Sequence, residues 1–354
     1  MTRIEVTNDY DDFGINLVES EGRYTISIDK YKGNSKKVTV PDNIEGIPVT
    51  EIGIGAFSEN KRLKKVILPE GLVSIEMGAF RYCINLVSIN LPQSLTSIDT
   101  YAFEYCEKLK NITIPKNIVY FGNIDLKIIG TESETFSDCD RLREITVDEQ
   151  NPAYASDEGV MFDKNRTTLI KYPSGKKGAY TIPDSVNTIG KGAFEYCNRL
   201  TKLSIPKDLM YIEYGEFKKC GRLTHFTVNE NNPMFNSKDG VLFDKKGTAL
   251  LQYPRGNTRK NYVVPDSVVV IREDAFSHCK SLTSIIFPES LKFIYSRFSG
   301  CKRLTAITLP MSLLYLAENA FEDCPRLKTI TLSRNTKMGY KALEGFSGEL
   351  IYRD

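Results

Sequence analysis

Residues 66–86 read VILPEGLVSIEMGAFRYCINL, and residues 89–109 read INLPQSLTSIDTYAFEYCEKL in the same frame. Both segments place Pro, Leu, Ile, Ala-Phe, Cys and Leu at the same spacing, and the frame returns at intervals of about 23 residues. One column of the frame holds phenylalanine in nine copies: Phe57, Phe80, Phe103, Phe136, Phe194, Phe217, Phe276, Phe298 and Phe321. The chain is therefore built mainly from one repeated unit.

The chemistry of one copy predicts a coil. Alternation sends Val66 and Leu68 to one face and Lys65 and Ile67 to the other, as in a β-strand. The next residue is a proline, which ends the strand because it cannot donate to a strand ladder. Apolar residues three apart in 79–86 favour one helical or 3₁₀ turn. One coil cannot bury its own apolar face. Stacked copies would form a leucine-rich-repeat solenoid with a parallel sheet on one face and short strands and helical turns on the others.

Two segments interrupt the repeat, residues 148–182 and 229–264, and they are copies of each other. Both contain Gly-Val-x-Phe-Asp-Lys followed by Leu-x-x-Tyr-Pro. Each predicts an inserted β-hairpin whose two strands are joined at 164–166 or 245–247. A third insertion, residues 122–133, has no clear pattern.

The two ends depart from the frame. Residues 1–37 contain the alternating run 24–28 and a Gly-Asn-Ser turn at 33–35, which predict an N-terminal β-hairpin cap. The repeats then occupy residues 38–332. Residues 333–354 lack the Pro and Cys columns and predict a degenerate C-terminal cap with a polar edge, which favours a monomer.

The frame Ile-x-Leu-Pro-x-x-Leu-x-x-Ile-x-x-x-Ala-Phe-x-x-Cys-x-x-Leu resembles the BspA-like (Treponema pallidum type) leucine-rich repeat family, over about residues 24–345. The resemblance implies a leucine-rich-repeat fold and no catalytic motif. It also implies a class of mostly bacterial surface or secreted proteins that bind host matrix, host cells or other bacteria. The sequence starts without the apolar stretch of a signal peptide and has no anchoring tail, so the cytoplasm is the alternative location.

Composition excludes several classes. The chain is 41% hydrophobic and 26% charged, which is typical of a folded protein rather than a disordered one. Lys and Arg number 47 against 45 Asp and Glu, a net charge of +2 that argues against a nucleic-acid partner. No apolar run approaches the roughly 18 residues of a membrane helix, so we expect no membrane insertion.

The cysteines and histidines are the first candidates for chemistry. All eight cysteines occupy one inward column of the frame, which favours buried free thiols over disulfides. No Cys-x₂₋₄-Cys pair offers a zinc site. His225 and His278 fall in outward columns and supply no triad, so they are expected to be surface variation. We therefore expect no enzyme activity, cofactor or metal.

A basic column is the second candidate. The residue before the fixed Leu is basic in seven of nine copies: Arg62, Lys108, Arg141, Arg199, Arg222, Arg303 and Arg326. Stacked coils would arrange these charges as a ladder for an anionic glycan or polymer. The alternative is that each caps its own turn and pairs with acids such as Glu104, Glu107, Asp140 and Glu195.

An aromatic column is the third candidate. The residue before the fixed Ile is Glu or Ser in the first three copies and turns aromatic or apolar later, at Tyr120, Tyr211, Val270, Phe293 and Tyr315. Outward aromatic side chains on a rigid face are suited to binding a protein. Packing between coils or beneath a hairpin is the alternative. A hydroxyl-rich outward strand column, which includes Thr113, Thr227 and Thr308, could also contact a partner.

These patterns predict a binding or adhesion module that presents an extended solenoid face to a protein or matrix partner. An anion binder along the basic column is the second hypothesis. An enzyme is the third, because no phosphate loop, metal cluster or histidine-based triad appears.

Overall fold

The computed structural model describes residues 10–122, 135–212 and 216–353. The chain divides into an N-terminal unit, Met1–Lys176 with Thr188–Cys197, and a C-terminal unit, Lys177–Asn187 with Asn198–Asp354. The insertion expected at 122–133 lies, apart from Gly122, outside the described residues. No described residue is in an α-helix, and each unit is a β-solenoid of stacked coils.

Short strands make up most of the regular structure in both units. The first sixteen, in chain order, are β1 (Phe13–Ser20), β2 (Arg23–Tyr31), β3 (Lys37–Thr39), β4 (Asn43–Ile44), β5 (Ile47–Ile52), β6 (Lys65–Ile67), β7 (Ser74–Ile75), β8 (Ser88–Ile89), β9 (Ser97–Ile98), β10 (Asn111–Ile114), β11 (Tyr120–Phe121), β12 (Glu144–Val147), β13 (Tyr154–Asp157), β14 (Val160–Asp163), β15 (Thr168–Lys171) and β16 (Gly178–Thr181). The rest are β17 (Thr188–Ile189), β18 (Leu200–Ile205), β19 (Tyr211–Ile212), β20 (His225–Val228), β21 (Phe235–Lys238), β22 (Val241–Asp244), β23 (Ala249–Gln252), β24 (Asn261–Val263), β25 (Val270–Ile271), β26 (Ser284–Ile286), β27 (Phe293–Ile294), β28 (Ala306–Thr308), β29 (Tyr315–Leu316), β30 (Thr329–Ser333), β31 (Lys337–Met338) and β32 (Glu349–Arg353).

Two parallel ladders run along each unit. Ladder A contains the strands that precede the proline column: β3-β6-β8 and β10-β12 in the N-terminal unit, and β16-β18-β20, β24-β26 and β28-β30-β32 in the C-terminal unit. Ladder B contains the strands that end at the fixed Ile, such as β5-β7-β9-β11 and β23-β25-β27-β29-β31. Pairs such as Val66 with Ile89 and Ser74 with Ser97 are one repeat apart, so equivalent residues lie side by side. The expected parallel sheet is confirmed, and it occupies two faces.

The third side of each coil is built from turns, and the expected helical or 3₁₀ turn is not confirmed as a regular element; among the described residues only 135–136 have 3₁₀ geometry. Its hydrogen bonds span three residues, as from Cys83 N–H to Phe80 O, but non-glycine residues with positive φ recur every few positions, such as Tyr101 (61°) and Tyr105 (58°). A left-handed residue ends each turn before a helix can propagate. The turns of neighbouring coils also bond to each other, as from Phe80 N–H to Ala102 O.

The phenylalanine column lies in the core of each unit. All nine side chains are buried, as the sequence predicts. In the N-terminal unit the rings of Phe57, Phe80, Phe103 and Phe136 follow one another with centroids 5.0, 5.5 and 5.7 Å apart. Offset rings at this separation add attraction to the gain from burial.

The N-terminal strands β1 and β2 pair antiparallel, and β2 pairs parallel with β5. The hairpin turn is at Glu21 and Gly22, which both have positive φ (51° and 75°), rather than at 33–35 as expected. Two left-handed residues give the turn type that matches strand twist. Tyr31 ends β2 and lies 5.2 Å from Phe57, so the hairpin continues the aromatic column.

Each insertion contains the expected hairpin, β14-β15 or β22-β23, and a further strand that the sequence analysis missed, β13 or β21. The last strand joins ladder B, since β15 pairs parallel with β17 and β23 with β25. The tyrosine that follows it enters the phenylalanine column: Tyr172 lies 5.3 Å from Phe194, and Tyr253 lies 5.4 Å from Phe276. The insertion thus ends as part of the stack.

A buried asparagine anchors each insertion. Asn232 has no exposed surface, and its Nδ2 donates to Pro206 O (2.7 Å) and Leu209 O (2.9 Å). Its Oδ1 accepts from the backbone N–H groups of residues 234 and 235. Asn151 makes the equivalent four bonds in the N-terminal unit. The whole hydrogen-bonding capacity of the amide is used, which fixes where the insertion leaves its coil.

The C-terminal segment adds one further coil to its unit. Strand β31 pairs with β29, and β32 pairs with β30. Met338, Leu343, Phe346 and Leu350 pack against the core but remain half-buried. The last coil therefore keeps the strand pairing of the repeat although its sequence lacks the Pro and Cys columns.

Candidate functional site

Part of the aromatic column forms a surface patch on the C-terminal unit. Val270, Phe293 and Tyr315 lie on the neighbouring strands β25, β27 and β29, in direct register. All three side chains are half-buried. Ala249 on β23 and Lys337 on β31 bound the row. The structure therefore brings these three predicted residues together.

A residue that the sequence analysis missed completes the patch. Tyr295 lies two positions after Phe293, so it faces the same side, and its side chain is 40% exposed. Its ring centroid is 6.0 Å from that of Phe293 and 5.5 Å from that of Tyr315. Leu314, which is 52% exposed, precedes Tyr315. We call Phe293, Tyr295, Leu314 and Tyr315 the aromatic patch.

The other two predicted aromatic residues lie elsewhere. Tyr120 is on β11 in the N-terminal unit and is 48% exposed. Tyr211 is on β19 and is 50% exposed, but β19 is not in the sheet that contains β25, β27 and β29. Strands β21, β22 and β23 of the second insertion begin that sheet. The expected stripe is thus interrupted between Tyr211 and Val270.

The basic column lies on the surface as expected. Arg199 is half-buried, and Arg62, Lys108, Arg141, Arg222, Arg303 and Arg326 are exposed. The alternative that Glu104 pairs with this column is wrong, because Glu104 is 8% exposed and pairs with Arg81 instead. Lys108 Nζ donates to Asn85 Oδ1, not to a carboxylate.

The cysteine column is structural. Seven thiols are buried and that of Cys324 is half-buried, and all eight cysteines are free. Thiols donate to the carbonyl oxygen of the phenylalanine in the preceding coil, at 3.1–3.2 Å for Cys83, Cys106, Cys139, Cys301 and Cys324. Burial raises the pKa of Cys83 and of Cys139 to about 12. A thiol held neutral in this way is a poor nucleophile.

This arrangement predicts how thiol reactivity and stability respond to pH. Native protein at pH 8 should react slowly with a thiol reagent, and denatured protein without reductant should titrate eight thiols. The folded protein holds the protons of Cys83 and Cys139 more tightly than the unfolded chain does, because their pKa values are raised from about 9 to about 12. The free energy of unfolding therefore keeps its full value below pH 9 and falls as the pH rises toward 12. Urea unfolding should therefore show falling stability above pH 9. Paired disulfides in fresh protein, or rapid labelling of the native state, would contradict this assignment.

Neither histidine is paired for acid–base chemistry among the described residues. His225 is exposed, with Nδ1 3.0 Å from Thr224 Oγ1. His278 lies against Gly300, and burial together with nearby Arg255 and Lys280 lowers its pKa. In the same ranges, no group of three His, Cys, Asp or Glu side chains could hold a metal ion.

The repeat assigns the class of protein. The family profile of the BspA type leucine-rich repeat region matches residues 30–150, 122–238 and 256–351, in six copies. The chain belongs to this family.

Solved structures agree with this fold. A leucine-rich cell surface protein from Faecalibacterium prausnitzii is 19% identical, with a TM-score of 0.58, over 100% of this chain and 96% of that one. The pneumococcal vaccine antigen PcpA is 20% identical, with a TM-score of 0.50, over 100% of this chain and 89% of that one. No curated protein sequence matches the chain significantly. Within the described residues, no helix has the length and apolarity needed to span a membrane.

Proposed function

We propose that this chain is a non-catalytic protein-binding module of a bacterial surface or secreted type, which adheres to a protein or matrix partner through the aromatic patch. The observation that carries the proposal is the packing of three partly exposed rings: Phe293 and Tyr315 lie on strands held in register, and Tyr295 directly follows the first of these strands. Aromatic side chains supply large contact area at low entropic cost, and they dominate the binding energy of many interfaces.

The setting of the patch supports this role. The strands beneath it are paired on both edges, so the rings keep their positions before a partner arrives. Such preorganisation reduces the entropy lost on binding. An ion pair between Arg297 and Glu318 (2.6 Å) lies on the turns that follow β27 and β29 and supplies polar groups near the apolar rings. Apolar anchors with a polar surround are the usual composition of a protein interface.

The location and assembly of the chain form part of the same proposal. Family membership favours the cell surface or secretion, with the cytoplasm as the alternative. One chain carries the whole patch on its C-terminal unit, so a monomer suffices for binding.

A second candidate function is binding of an anionic glycan or polymer along the basic column. The observation that favours it is that no ion pair joins the basic column to a carboxylate within the described ranges, while nearby Arg81 and Lys302 are paired. Positive charges repeated at the spacing of stacked coils would face the evenly spaced negative charges of a regular polyanion. Catalysis ranks third.

Salt dependence distinguishes the two candidates. Wild-type protein should be retained by immobilised host extracellular-matrix proteins or by neighbouring bacteria. Retention through the aromatic patch should change little as ionic strength rises from about 0.05 to about 0.5 M, because exposed charges are the interactions that salt screens. A steep loss of retention over that range, together with loss in an Arg222→Ser, Arg303→Ser, Arg326→Ser variant, would replace the first candidate by the second.

A further inference from the structure

One interruption of ladder A lies at the second insertion, between β20 and β24. Strand β20 pairs with β18 on one edge. On its other edge, Phe226 N–H donates to Gly240 O (3.0 Å) and Val228 N–H donates to Ser237 Oγ (3.0 Å). The insertion therefore takes the hydrogen bonds that the next ladder strand would make. Among the described strands, β24 pairs with β26 alone.

The opposite edge of β24 presents free backbone groups. Ser284 N–H donates to Lys260 O, and Val264 N–H donates to Ile286 O at 2.9 Å, so residues 260, 262 and 264 face β26. Successive residues of a strand point their N–H and C=O groups to opposite edges, so those of Val263 face away from β26. Within the described residues, no hydrogen bond reaches them.

A cleft of about 480 Å³ lies along this edge. One wall is the hairpin turn at Lys238 and Asp239, and the other is the segment from Tyr262 to Ser267. Asp239 and Asp266 against Lys238 give the walls a net charge of −1. The cleft thus has room beside a strand edge, and its charge favours a basic segment.

The outward face beside the cleft is apolar where other coils are polar. Val263 is 61% exposed, and its register partner Ile286 is 58% exposed. The same column holds Ser204, Thr227 and Thr308 in other coils of this unit. An exposed apolar pair next to an open strand edge is a feature that proteins ordinarily avoid, because it invites another strand.

We propose that this cleft binds an extended, basic peptide segment of a protein partner as an added strand on β24. The backbone N–H and C=O of Val263 would make ladder bonds to the peptide, and an apolar side chain of the peptide would pack against Val263. Strand addition of this kind draws affinity from the main chain and specificity from alternate side chains. The site rests on the protein-binding role proposed above, but it is separate from the aromatic patch.

The chain itself supplies a probe peptide. Strand β20 is the counterpart of β24 in an earlier coil, and its edge is covered by β18, with Lys202 opposite His225 and Ser204 opposite Thr227. A peptide with the sequence of β18 is therefore a model for a strand added to β24. The capped peptide RLTKLSIP, residues 199–206, carries this strand and two positive charges. A matched control peptide carries Leu203→Pro, which removes a ladder donor on the edge that faces the neighbouring strand, since residues 201 and 205 accept bonds from β20 and its flanks.

Titration of the labelled probe peptide into the full chain is the test. Val263→Pro removes the open donor without removing a bond to β26, so binding should weaken about tenfold, the value of one hydrogen bond. Val263→Thr keeps the donor and should change affinity less. The proline control peptide should bind poorly to wild type. Equal binding by wild type and Val263→Pro would overturn the proposal, as would no binding at about 1 mM peptide.

Amide hydrogen exchange gives a readout that does not depend on a variant. Val263 N–H should exchange rapidly in the free protein and slowly with the probe peptide, while Val264 N–H is protected in both states. Protection of Val263 N–H in the free protein would overturn the proposal. A Phe293→Ser, Tyr295→Ser, Tyr315→Ser variant should bind the probe normally, so this site and the aromatic patch can fail independently.

Discussion

Replacing Asn232 with Ala should reduce the free energy of unfolding by about 3–6 kcal/mol, since each buried group left without a partner costs about 1–3 kcal/mol. The side chain satisfies the carbonyl oxygens of Pro206 and Leu209 and two backbone N–H groups of the insertion. It has no exposed surface through which water could replace them. Urea unfolding followed by circular dichroism measures the change.

Two variants separate hydrogen bonding from volume in this prediction. Asn232→Asp keeps the shape but replaces the donor by an acceptor facing two carbonyl oxygens, so it should destabilise at least as much as Asn232→Ala. The control is Asn231→Ala, because Asn231 is the exposed neighbour, and it should change stability by less than about 0.5 kcal/mol. Similar stability of all three variants would show that the amide is not the anchor of the insertion.

Phe80→Ala should reduce the free energy of unfolding by about 3–5 kcal/mol. The ring lies between Phe57 at 5.0 Å and Phe103 at 5.5 Å, and it has no exposed surface. Truncation removes both ring contacts and leaves a cavity between coils that are tied together by backbone bonds and cannot collapse. The measurement is again urea unfolding.

The matched control for Phe80 is another phenylalanine of the same chain. Phe293→Ala removes a half-buried ring from the aromatic patch and should cost much less stability. Equal losses at the two positions would mean that the patch belongs to the core. A small loss at Phe80 would contradict the aromatic column as the main source of stacking energy.

The periodic part of the fold follows from the sequence because each column repeats a single environment. Phenylalanine, the fixed leucine and the proline each appear often enough to define strand, core and strand end. The turn geometry does not follow in the same way. Left-handed positions are held by tyrosines such as Tyr82 and Tyr105, residues whose type gives no sign of a positive φ.

The insertions show a second limit of the sequence pattern. Tyr172 and Tyr253 appear in the sequence as members of a hairpin, yet they occupy the phenylalanine column. Neither tyrosine lies in the repeat frame, so aligning the copies could not show that its ring stacks with the phenylalanine column. The short strands β13 and β21 were missed because most of their residues are polar or small.

The aromatic patch was predicted only in part, because only some of its residues share a column of the repeat. Val270, Phe293 and Tyr315 share a column and could be found by comparing copies. Tyr295 could not, because its column holds Glu76, Asp99 and Arg272 in other coils. The local alternation Phe293-Ile294-Tyr295 was the available signal, since it places both rings on one side of a strand.

The central claim is that the aromatic patch binds a protein partner. The measurement that tests it most directly compares wild type with the variant Phe293→Ser, Tyr295→Ser, Tyr315→Ser for retention on host extracellular-matrix proteins and neighbouring bacteria, alongside their melting temperatures. The control is Tyr120→Ser, an exposed tyrosine of the same column in the N-terminal unit. The account predicts that the triple variant melts near the wild-type temperature but loses retention, while the control keeps both. A triple variant that melts early, or that binds as well as wild type, would contradict it.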